Sequence, residues 1–126
     1  MRERTIASHF VRAALRGAER HGQDYTPLLR PLNIQPALLD EPRARIAPEQ
    51  FARLMQLLWE SLDDEYMGFG RQRSKRGTFA MMCYAIIHCR SLEKALTRGG
   101  LFYSLFPDAP SISLSREGDW ARLTVD

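Results

Sequence analysis

Residues 77–105 read GTFAMMCYAIIHCRSLEKALTRGGLFYSL, and this stretch decides the fold that we predict for the chain. Its first part repeats apolar residues at the i, i+3, i+4, i+7, i+8 spacing of a helix face, at Phe79, Met82, Cys83, Ile86 and Ile87. The other side carries Ala80, Met81, Tyr84 and Ala85, so the predicted helix is apolar nearly all round. We therefore expect it to lie inside a core, with neighbours on every side.

A second helix is predicted directly after the first. Arg90 and Ser91 interrupt the apolar pattern, and serine is a favoured N-cap residue. Apolar residues and one glycine then recur at helical spacing, at Leu92, Ala95, Leu96, Gly99, Phe102, Tyr103 and Phe106. Each glycine in a helix interior costs about 0.5–1 kcal/mol relative to alanine. The pair Gly99-Gly100 therefore indicates a weak point or a close approach of another backbone.

The first half of the chain predicts further helices. One runs from Ile6 to Arg20, with Gly22 as its C′ residue and a buried stripe at Ile6, Phe10, Val11, Ala14, Leu15 and Ala18. A short helix follows, with Thr26 as N-cap and Pro27 at N1. The clearest amphipathic helix has Pro48 at N1 and extends to Leu62, with Trp59 at the border of its apolar stripe. After it, we expect Phe69 to enter the core from a turn.

From Ser111 the hydrophobic period changes from helical to two. Ile112 and Leu114 alternate with serines, and after a Glu117-Gly118-Asp119 turn the apolar residues are Ala121, Leu123 and Val125. This pattern predicts a β-hairpin. The expected fold is therefore α+β: a mainly helical bundle of four to five helices with a small C-terminal antiparallel β-hairpin, in one domain over residues 1–126. A lone two-stranded ribbon is marginally stable, so we expect this one to pair with another chain or to belong to a truncated, longer protein.

Composition excludes several classes of protein. A net charge of +3 over 126 residues predicts no dedicated nucleic-acid surface. The longest charge-free apolar run, residues 79–87, is too short to span a membrane, and Met1 to Arg20 has no continuous apolar region typical of a secretory signal. Cys83 and Cys89 would lie about 9 Å apart along a helix, too far for a disulfide. We expect reduced, buried thiols and a cytoplasmic location.

Several fragments resemble the N-terminal effector-sensing, arabinose-binding-like domain of AraC-type bacterial transcription regulators. They lie, in the family's order and spacing, at residues 32–42, 45–51, 66–70, 77–79, 84–85 and 89–96. Cys83 departs from the family, in which a glycine usually precedes the tyrosine. The resemblance implies a sensor domain of a one-component regulator, with DNA bound only through a separate helix-turn-helix domain that this chain lacks. From the open strand edge and an apolar helix face we predict a homodimer.

Three other groups of residues suggest metal, catalytic or polyanion chemistry, and each has a plainer interpretation. His88, Cys89 and Cys83 do not have the i, i+3 or i, i+4 spacing of helical metal ligands, so we predict no metal site. Cys83 lies in the most apolar helix, where a thiol is a poor nucleophile, and no acid–base pair accompanies it. We therefore predict no enzyme activity and no cofactor. The basic run Arg71 to Arg76 is interpreted as a solvated loop.

A small-molecule pocket is the functional prediction. Pockets are mostly apolar with a few placed polar groups. The candidate ligand-binding residues are Trp59, Phe79, Met82, Tyr84, His88 and Tyr103. Plain core packing is the alternative for each of them. The effector class stays open among amino acids, fatty acids and aromatic compounds. The alternative function is a ligand-free structural module for dimerisation or interaction.

Overall fold

A computed structural model describes residues 4–126. Within that range the chain forms five α-helices, two short 3-10 helices and four strands, so the predicted α+β class is confirmed. The chain divides into two compact units, the first extending to Phe69 and the second running from Gly70 to Asp126. The single-domain organisation stays a prediction. The first three residues of the polar start, Met1 to Glu3, lie outside the described residues.

The first unit contains the elements β1 to α3. In chain order they are β1 (Ile6–Ala7), α1 (Ser8–Arg20), α2 (Thr26–Leu29), 3-10 turns at Arg30–Leu32 and Pro36–Asp40, β2 (Arg45–Ile46) and α3 (Pro48–Leu62). Helix α1 begins two residues later than predicted, because Ile6 and Ala7 pair antiparallel with Ile46 and Arg45. Ser8 then donates its N–H to the Ala44 oxygen at 2.9 Å and its hydroxyl to the Glu41 oxygen at 3.0 Å.

The core of the first unit is an apolar cluster between α1, α3 and the short helices. Its buried members are Val11, Ala14, Leu15, Ala18, Leu29, Leu32, Ile34, Leu39, Ile46, Leu54 and Leu58. The predicted stripe of α1 is confirmed for Val11, Ala14, Leu15 and Ala18, and Gly22 has the positive φ of a C′ residue. Phe10 was expected in this stripe but is 53% exposed, because the buried line runs through Ser8 and Val11 and leaves Phe10 beside the His9 ring.

Helix α3 begins at Pro48, as predicted. The Gln50 side chain accepts a hydrogen bond from the Ala47 N–H at 2.8 Å and donates to the Leu32 oxygen at 2.9 Å. This one side chain satisfies an otherwise unpaired donor at the helix start and ties α3 to the 3-10 turn. At α2, Thr26 is the first helical residue rather than the N-cap, and the Asp24 carboxylate accepts from its N–H at 2.9 Å.

The loop after α3 folds back onto α1. Asp64 is only 2% exposed, and its carboxylate accepts from the N–H groups of Tyr66 (2.9 Å) and Gly68 (2.8 Å). Gly17 lies so close to this loop that a Cβ there would be 1.6 Å from the Met67 oxygen. The prediction that Phe69 enters the core is wrong, since its ring is 46% exposed, with the Arg20 guanidinium 5.6 Å from the ring centroid.

The second unit contains α4 (Thr78–Ile86), α5 (Leu92–Tyr103), β3 (Ile112–Glu117) and β4 (Trp120–Val125). The prediction that α4 lies inside a core is wrong: none of its residues, all of them described, is buried. Met82, Cys83 and Ile86 are half-buried on the side toward α5, and the opposite side is exposed. A uniformly apolar sequence cannot show which side has a neighbour, and within the second unit α4 packs mainly against α5. Cys83 and Cys89 are accordingly half-buried, not buried.

Helix α5 and the hairpin follow the prediction more closely. The Ser91 hydroxyl accepts from the Lys94 N–H at 3.2 Å, which makes it the N-cap of α5. Gly99 and Gly100 are the buried residues of α5 and permit close approach, since a Cβ on Gly100 would be 2.7 Å from the Ile112 oxygen. Strands β3 and β4 pair antiparallel from Ile112↔Val125 to Glu117↔Trp120. Gly118, with φ 59°, opens their two-residue turn.

Candidate functional site

The six predicted ligand-binding residues lie in different parts of the chain. Trp59 is on α3 in the first unit and is 37% exposed. The other five belong to the second unit, with Phe79, Met82 and Tyr84 on α4, His88 just after α4, and Tyr103 at the end of α5. The structure therefore brings at most five of them into one unit.

Within the second unit these residues occupy two sides of α4. Met82 is half-buried and faces α5, where its sulfur would be 3.4 Å from a Cβ on Gly99. Tyr84 lies about 200° around the helix from Met82, and it is 71% exposed. His88 is exposed as well, and Phe79 is 57% exposed. Tyr84 and His88 thus belong to an open surface rather than to an enclosed pocket.

Aromatic contacts extend from the end of α5. The Phe102 ring makes an edge-on contact with Tyr103 at 5.6 Å between centroids and a tilted contact with Phe106 at 5.4 Å. Phe102 and Tyr103 are half-buried, whereas Phe106 is 43% exposed. Arg98 donates to the Ala85 oxygen at 3.3 Å and so links α5 to the last turn of α4. Tyr103 therefore lies in a small aromatic cluster at the C-terminal end of α5.

Two open clefts of the second unit lie between α5 and the hairpin. One, of about 370 Å³, has an uncharged lining that includes Thr97, Leu101, Ser104, Ser111 and Ser113. The other, of about 260 Å³, is lined by Glu93, Leu96, Thr97, Leu114, Ser115, Arg116 and Ala121. Among the residues that the structure describes, none of the six predicted ligand-binding residues lines either cleft.

The residues of these clefts were not predicted from the sequence, although the sequence pattern contains a signal for them. Arg116 comes two residues after Leu114 and four after Ile112, so its side chain lies on the same face of the ribbon. Ala121 is its cross-strand neighbour on that face. Glu93, Thr97 and Gly100 have i, i+4, i+7 spacing on α5. A charged residue in phase with an apolar face is a recognisable departure, and it indicates a site that plain packing does not require.

A third cleft, of about 530 Å³, lies in the first unit beside the β1–β2 pair. Its lining includes Ile6, His9, Phe10, Arg45 and Phe51. The Arg45 guanidinium is bonded to the Thr5 hydroxyl and, at 2.8 Å, to the Thr5 oxygen. The cleft is shallow, and the Arg45 guanidinium already donates hydrogen bonds to Thr5, so the cleft offers a ligand mainly apolar contact.

Two groups of the first unit have shifted pKa values. Hydrogen bonds from Thr26 hold the pKa of the Asp24 carboxyl below its ordinary value. Burial raises the pKa of the Tyr25 hydroxyl above its ordinary value, and the nearby Glu19 carboxylate raises this pKa further. Both groups lie at the start of α2 and stabilise the local fold.

Other chemistry finds little support in the described part of the chain. No three His, Cys, Asp or Glu side chains among residues 4–126 are grouped so as to hold a metal ion. No helix in this range is long and apolar enough to cross a membrane. The basic residues Arg71, Arg73, Lys75 and Arg76 are all exposed, as expected for a solvated loop.

Comparison with known proteins identifies the family. Searches against curated proteins and against solved structures gave no match. A family model described as "Arabinose-binding domain of AraC transcription regulator, N-term" matches residues 22–126. The matched range covers most of the chain and includes α4, α5 and the hairpin. The chain therefore belongs to the family of N-terminal arabinose-binding domains of AraC transcription regulators, which are ligand-sensing regulatory domains.

Proposed function

We propose that this chain is the effector-sensing and dimerisation part of an AraC-type transcription regulator, and that it passes effector binding to an attached DNA-binding domain. Membership in the family over residues 22–126 is the observation that carries the proposal. The chain acts in the cytoplasm, where a free metabolite reaches it, and it has no catalytic role. DNA is contacted through the attached helix-turn-helix domain alone.

The signalling mechanism follows from linkage. An effector shifts a two-state equilibrium by as much as its affinities for the two states differ. The proposed candidate contacts are Trp59 in the first unit and, in the second unit, Phe79, Met82, Tyr84, His88 and Tyr103. Exposed apolar side chains in the second unit support a ligand or partner there, since Phe79, Met81, Tyr84 and Ile87 are each more than half exposed. Covering such a surface on binding releases water and stabilises the covered state.

The proposed homodimer uses the free edge of β4. Asp126 exchanges both backbone hydrogen bonds with Ser111, so the alternate residues Ala121, Leu123 and Val125 direct their N–H and C=O groups away from β3. Strand β4 has one charged residue, Arg122, and no proline. Edge strands that stay monomeric usually carry charges, prolines or bulges, so this edge favours pairing with a second copy.

Native mass spectrometry of the freshly purified chain tests the proposal, because it reports subunit count and any retained small molecule together. We expect a dimer that carries a discrete added mass. A ligand-free dimer whose thermal stability responds to no metabolite would instead support the second candidate, a structural dimerisation module. The exposed apolar side chains of the hairpin, Trp120 at 82% and Val125 at 60%, favour that candidate. A bare monomer without any ligand response contradicts both.

A further inference from the structure

The cleft between the first half of α5 and the ends of β3 and β4 combines three kinds of group. Glu93 supplies a carboxylate, Arg116 supplies a guanidinium, and Leu96, Leu114 and Ala121 supply apolar surface. Thr97, one turn after Glu93 on α5, also lines this cleft. The cleft has a volume of about 260 Å³, slightly below the range of about 300–1,000 Å³ that is usual for drug-sized ligands.

The position of the two charges follows from one contact. Helix α5 touches β3 at Gly100, where a Cβ would be 2.7 Å from the Ile112 oxygen. Glu93 lies seven residues before Gly100, a rise of about 10 Å along a helix, and it lies on the same side. Arg116 lies four residues after Ile112, about 13 Å along a strand, and also on the same side. Both charges therefore reach the same end of the cleft, on opposite walls.

The remainder of the cleft is apolar. Leu96 and Leu114 are half-buried between the charged end and the contact of Gly100 with Ile112. Ala121 lies beside Arg116 across the ribbon, and its small side chain leaves room above the sheet. A ligand anchored at the two charges would place its apolar part on these residues.

We propose that this cleft binds a small zwitterion of the free amino-acid class, with the ligand carboxylate on Arg116, its ammonium on Glu93 and its side chain on Leu96 and Leu114. The charge pattern selects this class. A simple carboxylic acid supplies a counter-charge to Arg116 alone, and an uncharged sugar can hydrogen-bond both groups but supplies a counter-charge to neither. Guanidinium–carboxylate and ammonium–carboxylate contacts are charge-assisted and orient the ligand.

A direct ion pair between Glu93 and Arg116 is the competing role for the two charges. An ion pair between exposed side chains contributes little to stability, so a ligand that supplies a partner for each charge replaces it at little cost. Arg116 lies on the same face of the ribbon as Ile112 and Leu114, whereas an ion pair without a ligand would be expected on the polar face. The proposal rests on the sensing function above, and it adds a site beyond the six residues named there.

The test is a titration of the isotopically labelled chain with each of the twenty common L-amino acids. Backbone amide chemical shifts, measured by NMR, monitor binding. We expect at least one amino acid to bind saturably and to shift the amides of Glu93, Thr97, Leu114 and Arg116. The amide of that amino acid, which lacks the carboxylate, and its deaminated acid should both bind more weakly to the unmodified chain.

Matched variants locate the site. Arg116→Gln and Glu93→Gln should each weaken binding about tenfold or more, the change expected when a charge-assisted hydrogen bond is lost. Arg122→Gln and Glu117→Gln remove the same charges from the other side of the ribbon, and they should leave the affinity unchanged. In Arg116→Gln the preference for the acid over its amide should also disappear, which an effect on folding alone would not produce.

Absence of binding by all twenty amino acids would overturn the proposal, as would equal affinities in the site and control variants. These outcomes are distinct from failure of the sensing function. If native mass spectrometry found a retained small molecule that is not an amino acid, the sensing function would be supported and the amino-acid proposal for this cleft would be contradicted.

Discussion

Gly100 of α5 lies against Ile112 of β3 so closely that a Cβ at position 100 would be 2.7 Å from the Ile112 carbonyl oxygen. Its neighbour Gly99 has more room, because the nearest atom to a Cβ there is the Met82 sulfur at 3.4 Å. One glycine thus meets a backbone atom of the sheet, and the other meets the end of a flexible side chain. The contact holds the hairpin on the helix.

Replacing these two glycines with alanine should therefore have opposite effects. Gly100→Ala should destabilise the chain by about 1–3 kcal/mol, as overpacking against a fixed group does. Gly99→Ala should be neutral or stabilising by up to about 1 kcal/mol, because alanine is the better helix former. Urea unfolding followed by circular dichroism compares the two variants. Equal free energies of unfolding would contradict the close contact at Gly100.

The buried carboxylate of Asp64 should be a main stabilising group of the loop that follows α3. It accepts from the N–H groups of Tyr66 and Gly68, and its removal leaves these donors without that partner. Asp64→Ala should cost about 1–3 kcal/mol in the free energy of unfolding. Asp64→Asn should also destabilise, because one carboxylate oxygen becomes a donor that faces an N–H group.

Asp63 provides the control for this prediction, because it is exposed and has φ 47°, a conformation that asparagine tolerates well. Asp63→Asn should change the free energy of unfolding by less than about 0.5 kcal/mol. Chemical denaturation at neutral pH measures all three variants. If Asp64→Asn were as stable as Asp63→Asn, the two backbone contacts would not stabilise the loop.

Stability at high pH should depend on Tyr25. Burial, with Glu19 nearby, raises the pKa of its hydroxyl above the ordinary value of 10.0 in the folded chain. A raised folded-state pKa means that this contribution is fully present below pH 10.0 and is lost as the pH rises through the folded-state pKa. Unfolding of the unmodified chain and of Tyr25→Phe is compared across this window. The stability of the unmodified chain should fall relative to the variant, and parallel curves would contradict the shift.

Tyr84 separates a ligand contact from a packing role. Its side chain is 71% exposed, so Tyr84→Ala should change the free energy of unfolding by less than about 0.5 kcal/mol. If Tyr84 contacts the effector, the same variant should bind a retained or added effector more weakly. Leu92→Ala is the control, since Leu92 is 74% exposed and is not among the proposed contacts. Unchanged effector affinity in Tyr84→Ala would remove this residue from the site.

The sequence was sufficient for the local structure and insufficient for the neighbours. Pro48, Ser91, Gly22 and Gly118 were identified in advance because capping and turn geometry depend on residues close in the chain. The exposure of α4 was not predicted, because apolar residues on all sides of a helix do not indicate which side is covered.

The six proposed ligand residues were predicted from their residue types. The cleft at Glu93 and Arg116 depends instead on which residues of α5 face which residues of β3. The contact of Gly100 with Ile112 sets this alignment, and it is a tertiary contact that local sequence patterns do not contain.

The free edge of β4 yields the last prediction. Leu123 is 47% exposed on the apolar side of the ribbon, and its N–H and C=O groups are directed away from β3. Leu123→Lys should convert the proposed dimer into a monomer, because two copies paired along this edge would bring the added charges close together. Leu123 pairs with Leu114 in the hairpin, so circular dichroism checks that the variant still folds. Ser113→Lys adds the same charge to β3, on the opposite side of the ribbon from Leu123, and should remain dimeric.

Native mass spectrometry over a dilution series reports the dissociation constants. A Leu123→Lys variant that dimerises as tightly as Ser113→Lys would place the dimer interface away from β4, while a monomeric Leu123→Lys variant with unchanged circular dichroism would assign it there.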